Sequence, residues 1–141
     1  MNSIQDDSLK RKLKLFWKLF LKYYPDLSQV NYYCQSFKRK LSSKDKVDYL
    51  LEKIPELEIN FNIYQDIIQT IKHNNFKRFD EIIKKYLASK EKISKKMITA
   101  LKTLKKYMKS IENMFESNIT NGLIEGLNNK IALAFFLMNH L

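Results

Sequence analysis

The chain has 141 residues, 45% hydrophobic and 29% charged, with 26 basic against 15 acidic side chains and a formal net charge of +11. That length suits one domain with one core, and the apolar fraction excludes a disordered chain, which could not bury enough surface to offset its conformational entropy. Two glycines and two prolines exclude collagen-like sequence and argue against sandwiches and barrels, whose turns recur every 8–12 residues or so.

Twenty-three of the 26 basic residues are lysine, the bias of an A+T-rich coding sequence. Codon drift accounts for lysine over arginine. It does not account for the shortage of acids, so the charge favours a polyanionic partner reached through counterion release. The single Cys34 cannot form an internal disulfide and points to a reducing compartment. No signal peptide is visible, and Lys18 interrupts the early apolar run Leu15-Phe16-Trp17, so a cytoplasmic chain with no membrane partner is expected.

Helical periodicity dominates. A first helix is predicted from Asp7 or Ser8 to Tyr24, with Leu9, Leu13, Phe16, Trp17, Phe20 and Tyr24 on one face and Arg11, Lys14, Lys18 and Lys22 opposite. Asp6, Asp7 and Ser8 supply the acceptors and negative charge of a helix start, and Pro25 ends it. Residues 26–42 read as irregular, with aromatic weight in Tyr32 and Tyr33 but no periodicity. Ser42 or Ser43 caps a short helix through Lys53. Pro55 opens the next, which runs to about His73 with Leu57, Phe61, Tyr64, Ile67, Ile68 and Ile71 inward. Asn74-Asn75 makes the turn into a helix from Phe76 to Leu87. The longest helix is predicted from about Lys90 to Phe115, apolar along Met97, Ala100, Leu101, Leu104, Met108 and Ile111. Lys95, Lys102, Lys106 and Lys109 form a stripe on its far side, matched to DNA phosphates.

Most chemical motifs are missing: no phosphate-binding glycine loop, no zinc-type cluster, no G-x-S-x-G. His73 and His140 stand without ligand partners. Both glycines, however, lie in Asn121-Gly122-Leu123-Ile124-Glu125-Gly126-Leu127-Asn128-Asn129-Lys130-Ile131. In so glycine-poor a chain this predicts a backbone requirement, a special turn at Gly122 and a close approach at Gly126. A helix starting at Gly122 or Leu123 would line up Leu123, Leu127 and Ile131, with Asn121, Glu125, Asn128 and Asn129 as a polar line beside them. A first-turn glutamate complementing the helix dipole is the plain alternative for Glu125.

The string Asn121-Gly122-x-x-Glu125-Gly126-x-Asn128-Asn129-Lys130-Ile131 resembles the closing motif of bacterial insertion-sequence transposases of the ISL-three family, a group of DDE-type transposases. Leu13-Lys14-Leu15-Phe16-Trp17-Lys18-Leu19-Phe20-Leu21-Lys22 is similar to a tryptophan-bearing segment of that family. Asp45 to Leu51, Pro55-Glu56-Leu57 and Tyr64-Gln65-Asp66 follow in the family's order. The resemblance implies an RNase H-like core in which two aspartates and a late glutamate hold two magnesium or manganese ions for phosphoryl transfer on insertion-sequence DNA ends. Glu125 matches the glutamate, as catalytic and metal-binding residue, with Asn121, Gly122, Gly126, Asn128, Asn129 and Lys130 in support.

It also implies a division of the chain. Residues 8–115 correspond to the helical insertion, 117–131 to the glutamate helix and 132–141 to a divergent tail, all within one helical domain over 1–141. The expected architecture is all-α, a bundle of about five to six amphipathic helices with the core sheet missing. The two strand-borne aspartates have no counterpart here, Asp6 and Asp7 being adjacent and pre-helical. The chain therefore reads as a truncated transposase remnant that binds no metal alone and is inactive alone, with self-association left open. The alternative is a small basic helical module that binds nucleic acid or a protein.

Overall fold

The computed structural model describes residues 7–89 and 92–138, with side chains described through residue 130. Its helices are α1 (Asp7–Phe16), α2 (Ser43–Lys53), α3 (Glu56–Lys72), α4 (Phe76–Leu87), α5 (Lys95–Lys106), α6 (Met108–Glu116) and α7 (Asn121–Met138). Two 3-10 segments, Trp17–Leu21 and Tyr24–Asp26, follow α1. A single antiparallel hairpin pairs β1 (Tyr32–Cys34) with β2 (Arg39–Leu41). The architecture is predominantly all-α, and among the described residues no sheet exceeds these two strands.

The central element is α3. Leu57, Phe61, Ile63, Tyr64, Ile67, Ile68 and Ile71 are all buried, together with Asn60 and Thr70. Helices α2, α4 and α7 pack around it, and α5 bridges α4 and α7. The core these elements enclose is continuous from Leu13 and Phe20 to Leu123 and Leu127.

Local chemistry sets the middle boundaries. Ser42 forms a reciprocal capping box with Asp45: the serine oxygen accepts the Asp45 N–H at 3.1 Å, and the Asp45 carboxylate accepts the Ser42 N–H at 3.0 Å. Pro55 immediately precedes α3, where its missing N–H costs nothing. Asn74 then adopts a left-handed conformation (φ 51°). The Asn75 and Asn74 amides reach back to the Thr70 and Ile71 carbonyls at 2.8 and 3.1 Å. Asn118 repeats the device after α6 (φ 56°), with Ile119 and Asn118 bonding the Met114 and Phe115 carbonyls. These are Schellman caps in which asparagine fills the position glycine usually takes.

Four expectations are corrected. The first helix does not run to Tyr24: it gives way to 3-10 geometry at Trp17. Side chains of α3 hold the carbonyls at the end of this segment, Tyr64 donating to Leu21 O at 2.6 Å and Gln65 to Lys22 O at 2.8 Å. The long helix is two helices, α5 and α6, broken at Tyr107 (φ −101°, ψ 22°). The break re-aims α6 so that Phe115 meets Phe76 and Phe79, with ring centroids 5.5 and 5.4 Å apart. Its expected start at Lys90 lies outside the described residues.

The third correction concerns the glycines. Neither has a positive φ, and a Cβ at either would meet nothing within 4 Å. The special turn is made by Asn118 instead, and α7 begins at Asn121. Residues 26–42, read as irregular, hold the hairpin, whose strands are three residues each.

Candidate nucleic-acid interface

Helix α7 carries the glutamate motif, entered by a bond from the Ile124 N–H to the Thr120 carbonyl at 3.0 Å. Leu123 and Leu127 are buried and hold it against the core. The expected third member of that line, Ile131, has a side chain outside the described residues. The helical period then turns Gly122, Glu125, Gly126 and Asn129 outward, and all four are exposed.

Asn128 points the other way. It is half-buried, and its side-chain amide lies 2.6 Å from the Tyr64 hydroxyl. Tyr64 has one proton and its oxygen also lies 2.6 Å from the Leu21 carbonyl, so the satisfied network has Tyr64 donate to Leu21. The Asn128 amide, turned to present its N–H, then donates to the tyrosine oxygen. Burial pushes the Tyr64 phenol above its ordinary pKa, keeping that proton in place. Asn128 is thus an anchor for α7, turned toward the core while its neighbours Glu125 and Asn129 remain exposed. Asn121 is exposed at the helix start.

The lysine stripe is divided by the break at Tyr107. Lys95, Lys102 and Lys106 remain on α5, all exposed, while Lys109 belongs to α6. From Lys95 to Lys106 is about 16 Å of helix axis. Ser94 caps α5, its oxygen accepting the Met97 N–H at 3.2 Å. The ion pairs among the described residues are Lys72–Asp26, Arg78–Glu81 and Lys84–Asp80, so no stripe lysine is neutralised by a described carboxylate.

One neighbour of the stripe escaped the sequence reading. Lys130 of α7 and Lys96 of α5 line a groove of about 140 Å³ between the two helices, floored by Thr99, Ala100 and Thr103. The two threonine hydroxyls donate to the carbonyls four residues back, at 2.9 and 3.0 Å. The groove joins the glutamate helix to the lysine helix along one cationic edge. The helical wheel of α5 places Thr99 and Thr103 beside the Lys95–Lys102–Lys106 line, a signal the sequence held but only the packing of α7 on α5 makes legible.

The donor set does not fit a resident metal. Among the described residues no group of three or more His, Cys, Asp or Glu side chains lies close enough to hold an ion. No helix among them is long and apolar enough to cross a membrane. A ring nitrogen of His73 lies 2.8 Å from the Gln69 carbonyl at its own helix end, and His140 lies outside the described residues.

A family model described as a transposase, of the DDE type and the ISL-three group, matches residues 1–134. An ATP-dependent protease of Lactococcus lactis subsp. lactis is 29% identical over 107 residues, which cover 76% of this chain and 33% of that protein. The chain thus spans about a third of the length of that curated relative. No solved structure matches.

Proposed function

We propose, from the premise that this chain belongs to the ISL-three family of DDE-type transposases, that it is the helical DNA-contacting part of such an enzyme. In this reading residues 8–115 are the helical insertion and α7 carries the last acidic residue of the catalytic set, Glu125. The cationic edge formed by Lys95, Lys102 and Lys106 with Lys96 and Lys130 holds the phosphate backbone of insertion-sequence DNA. That edge is the observation that supports the reading, because it runs along the helix that bears the glutamate motif and the helix packed against it, and is free of described carboxylate partners.

The family's chemistry, phosphoryl transfer on DNA with divalent ions, requires several carboxylates around two metals about 3.5–4 Å apart. Glu125 alone does not supply them, and the described residues bring no second or third acid to it. These 141 residues by themselves therefore position DNA rather than cut it. A cytoplasmic location agrees with a DNA substrate and a free thiol.

A salt titration of duplex binding tests this. Contacts to phosphates without base readout give dissociation constants of roughly 10⁻⁴ to 10⁻⁶ M at physiological salt, indifferent to sequence. Replacing the α5 residues Lys95, Lys102 and Lys106 by glutamine should flatten the slope of log affinity against log salt by about 0.9 for every phosphate no longer neutralised. Equal slopes for the two proteins would leave the edge as solvated surface and refute the assignment.

A further inference from the structure

The hairpin lies apart from this edge and has a chemistry of its own. Its tip, Gln35 to Lys38, folds back through bonds from the Phe37 and Lys38 amides to the Cys34 carbonyl at 3.2 and 2.8 Å. Phe37 is driven inward, edge-on to Tyr49 at 5.0 Å and tilted on Phe16 at 6.0 Å. One aromatic therefore nails the hairpin to α1 and α2. The other two stay outside: Tyr32 is 70% and Tyr33 59% exposed, among the largest apolar exposures described. Neither ring makes a described ring contact or side-chain hydrogen bond.

Cations lie along the same hairpin and on the helix beside its tip. The antiparallel register sets Tyr33 opposite Lys40 and Cys34 opposite Arg39. Between the hairpin tip and α1 runs a cleft of about 580 Å³, lined by Arg11, Lys12 and Lys38 together with Ser36 and the edge of Phe16. Lys12 sits 5.2 Å and Arg39 5.9 Å from the Phe37 ring centre. No carboxylate lines the cleft, and none of these five cations is in a described ion pair. Asp45 feels the charge of Arg39, but it is engaged in the α2 capping box.

We infer that the hairpin and the α1 cleft form a binding site for single-stranded DNA, with bases stacked on Tyr32 and Tyr33 and the phosphodiester backbone held by Arg11, Lys12 and Lys38. Exposed aromatics interleaved with unpaired cations suit this ligand. Every base offers a face to stack on, whereas the bases of a duplex are already stacked on one another. The two-stranded ribbon, pinned by Phe37, sends the adjacent rings to opposite faces, so each ring takes a base separately. The site deepens the proposal of DNA contact by naming a second, unpaired strand as ligand, and it is separate from the α5–α7 edge.

Fluorescence anisotropy on the full chain with labelled (dT)12 and with a mixed-sequence duplex of the same length tests this. Tyr32→Ala/Tyr33→Ala should weaken (dT)12 binding about five-fold or more, the loss of at least one base stack, with duplex affinity unchanged. Tyr32→Trp/Tyr33→Trp should retain (dT)12 binding, and Arg11→Gln/Lys12→Gln/Lys38→Gln should flatten its salt slope by about 0.7 for every phosphate no longer neutralised. Unchanged (dT)12 affinity in the alanine variant, equal losses on both probes, or no (dT)12 binding by the parent chain would each overturn the inference. The α5 lysine variant separates the two claims. Should it weaken duplex binding while the tyrosine variant leaves (dT)12 unaffected, the hairpin site fails and the α5–α7 edge stands.

Discussion

Tyr64, buried in the middle of α3, and Asn128, on α7, meet across 2.6 Å at a point where the tyrosine oxygen also reaches the carbonyl of Leu21. One hydroxyl thus joins three segments far apart in sequence: the 3-10 segment after α1, the central helix and the glutamate helix. Tyr64→Phe keeps the ring and leaves a half-buried carbonyl and amide without that partner, a loss of about 1 kcal/mol. Urea unfolding of Tyr64→Phe, Asn128→Ala and the double variant should give non-additive losses. Strict additivity would mean the contact does not hold α7.

The α2 capping box should show in acid. The Ser42 backbone N–H, and after it the Ser42 hydroxyl, lower the Asp45 carboxyl below its ordinary value of 3.8. A group lowered on folding stabilises the fold above its unfolded value, and that contribution is lost as pH falls through the native value. Asp45→Asn should therefore be less stable than the parent at pH 7, with the gap closing below about pH 4. Ser42→Ala should cost about 1 kcal/mol at pH 7 through removal of the cap. A gap between parent and Asp45→Asn that stays constant down to pH 2.5 would contradict the assignment.

Gly126 sits inside α7 with open space where a Cβ would go. Gly126→Ala should accordingly stabilise the isolated chain by about 0.5–1 kcal/mol, through reduced backbone freedom in the unfolded state. Gly122 lies in the first turn, where the helix constrains it less, so Gly122→Ala should gain less. Thermal melts of both variants decide this, and a destabilised Gly126→Ala would show a close approach.

On catalysis, the 141-residue chain should neither cleave nor join DNA with magnesium or manganese, because Glu125 lacks companion acids. Glu125→Gln should leave both the melt and the duplex affinity unchanged, the side chain being exposed. Strand transfer by the parent chain that disappears in Glu125→Gln would reveal acids that the described fold does not bring to it.

The elements legible in the sequence were those whose signals are local. Ser42, Pro55 and Asn75 mark the starts of α2, α3 and α4 by their own side-chain chemistry, and the inward residues of α3 recur at helical spacing. The break at Tyr107 was not legible, because a wheel drawn through residues 93–115 is equally apolar whether or not the axis turns. What turns it is Phe115 reaching Phe76 and Phe79, a contact between residues some 36 to 39 positions apart. The end of α1 depends likewise on Tyr64 and Gln65, more than forty residues on. Glycine scarcity misled at Gly122, since Asn118 took the left-handed turn. The hairpin was hidden because Tyr32 and Tyr33 are both outside, which leaves no alternation to detect.

Trp17 opens the 3-10 segment that ends at Leu21, half-buried against the core, with the Lys18 ammonium 5.9 Å from its ring centre. It is the chain's sole indole, and α7 packs on the segment that bears it. Its emission is consequently an optical gauge of how that segment is packed, the seating of the glutamate helix included. Loosening α7 while the α2–α4 helices hold would move the emission maximum to longer wavelength with most of the far-ultraviolet ellipticity retained.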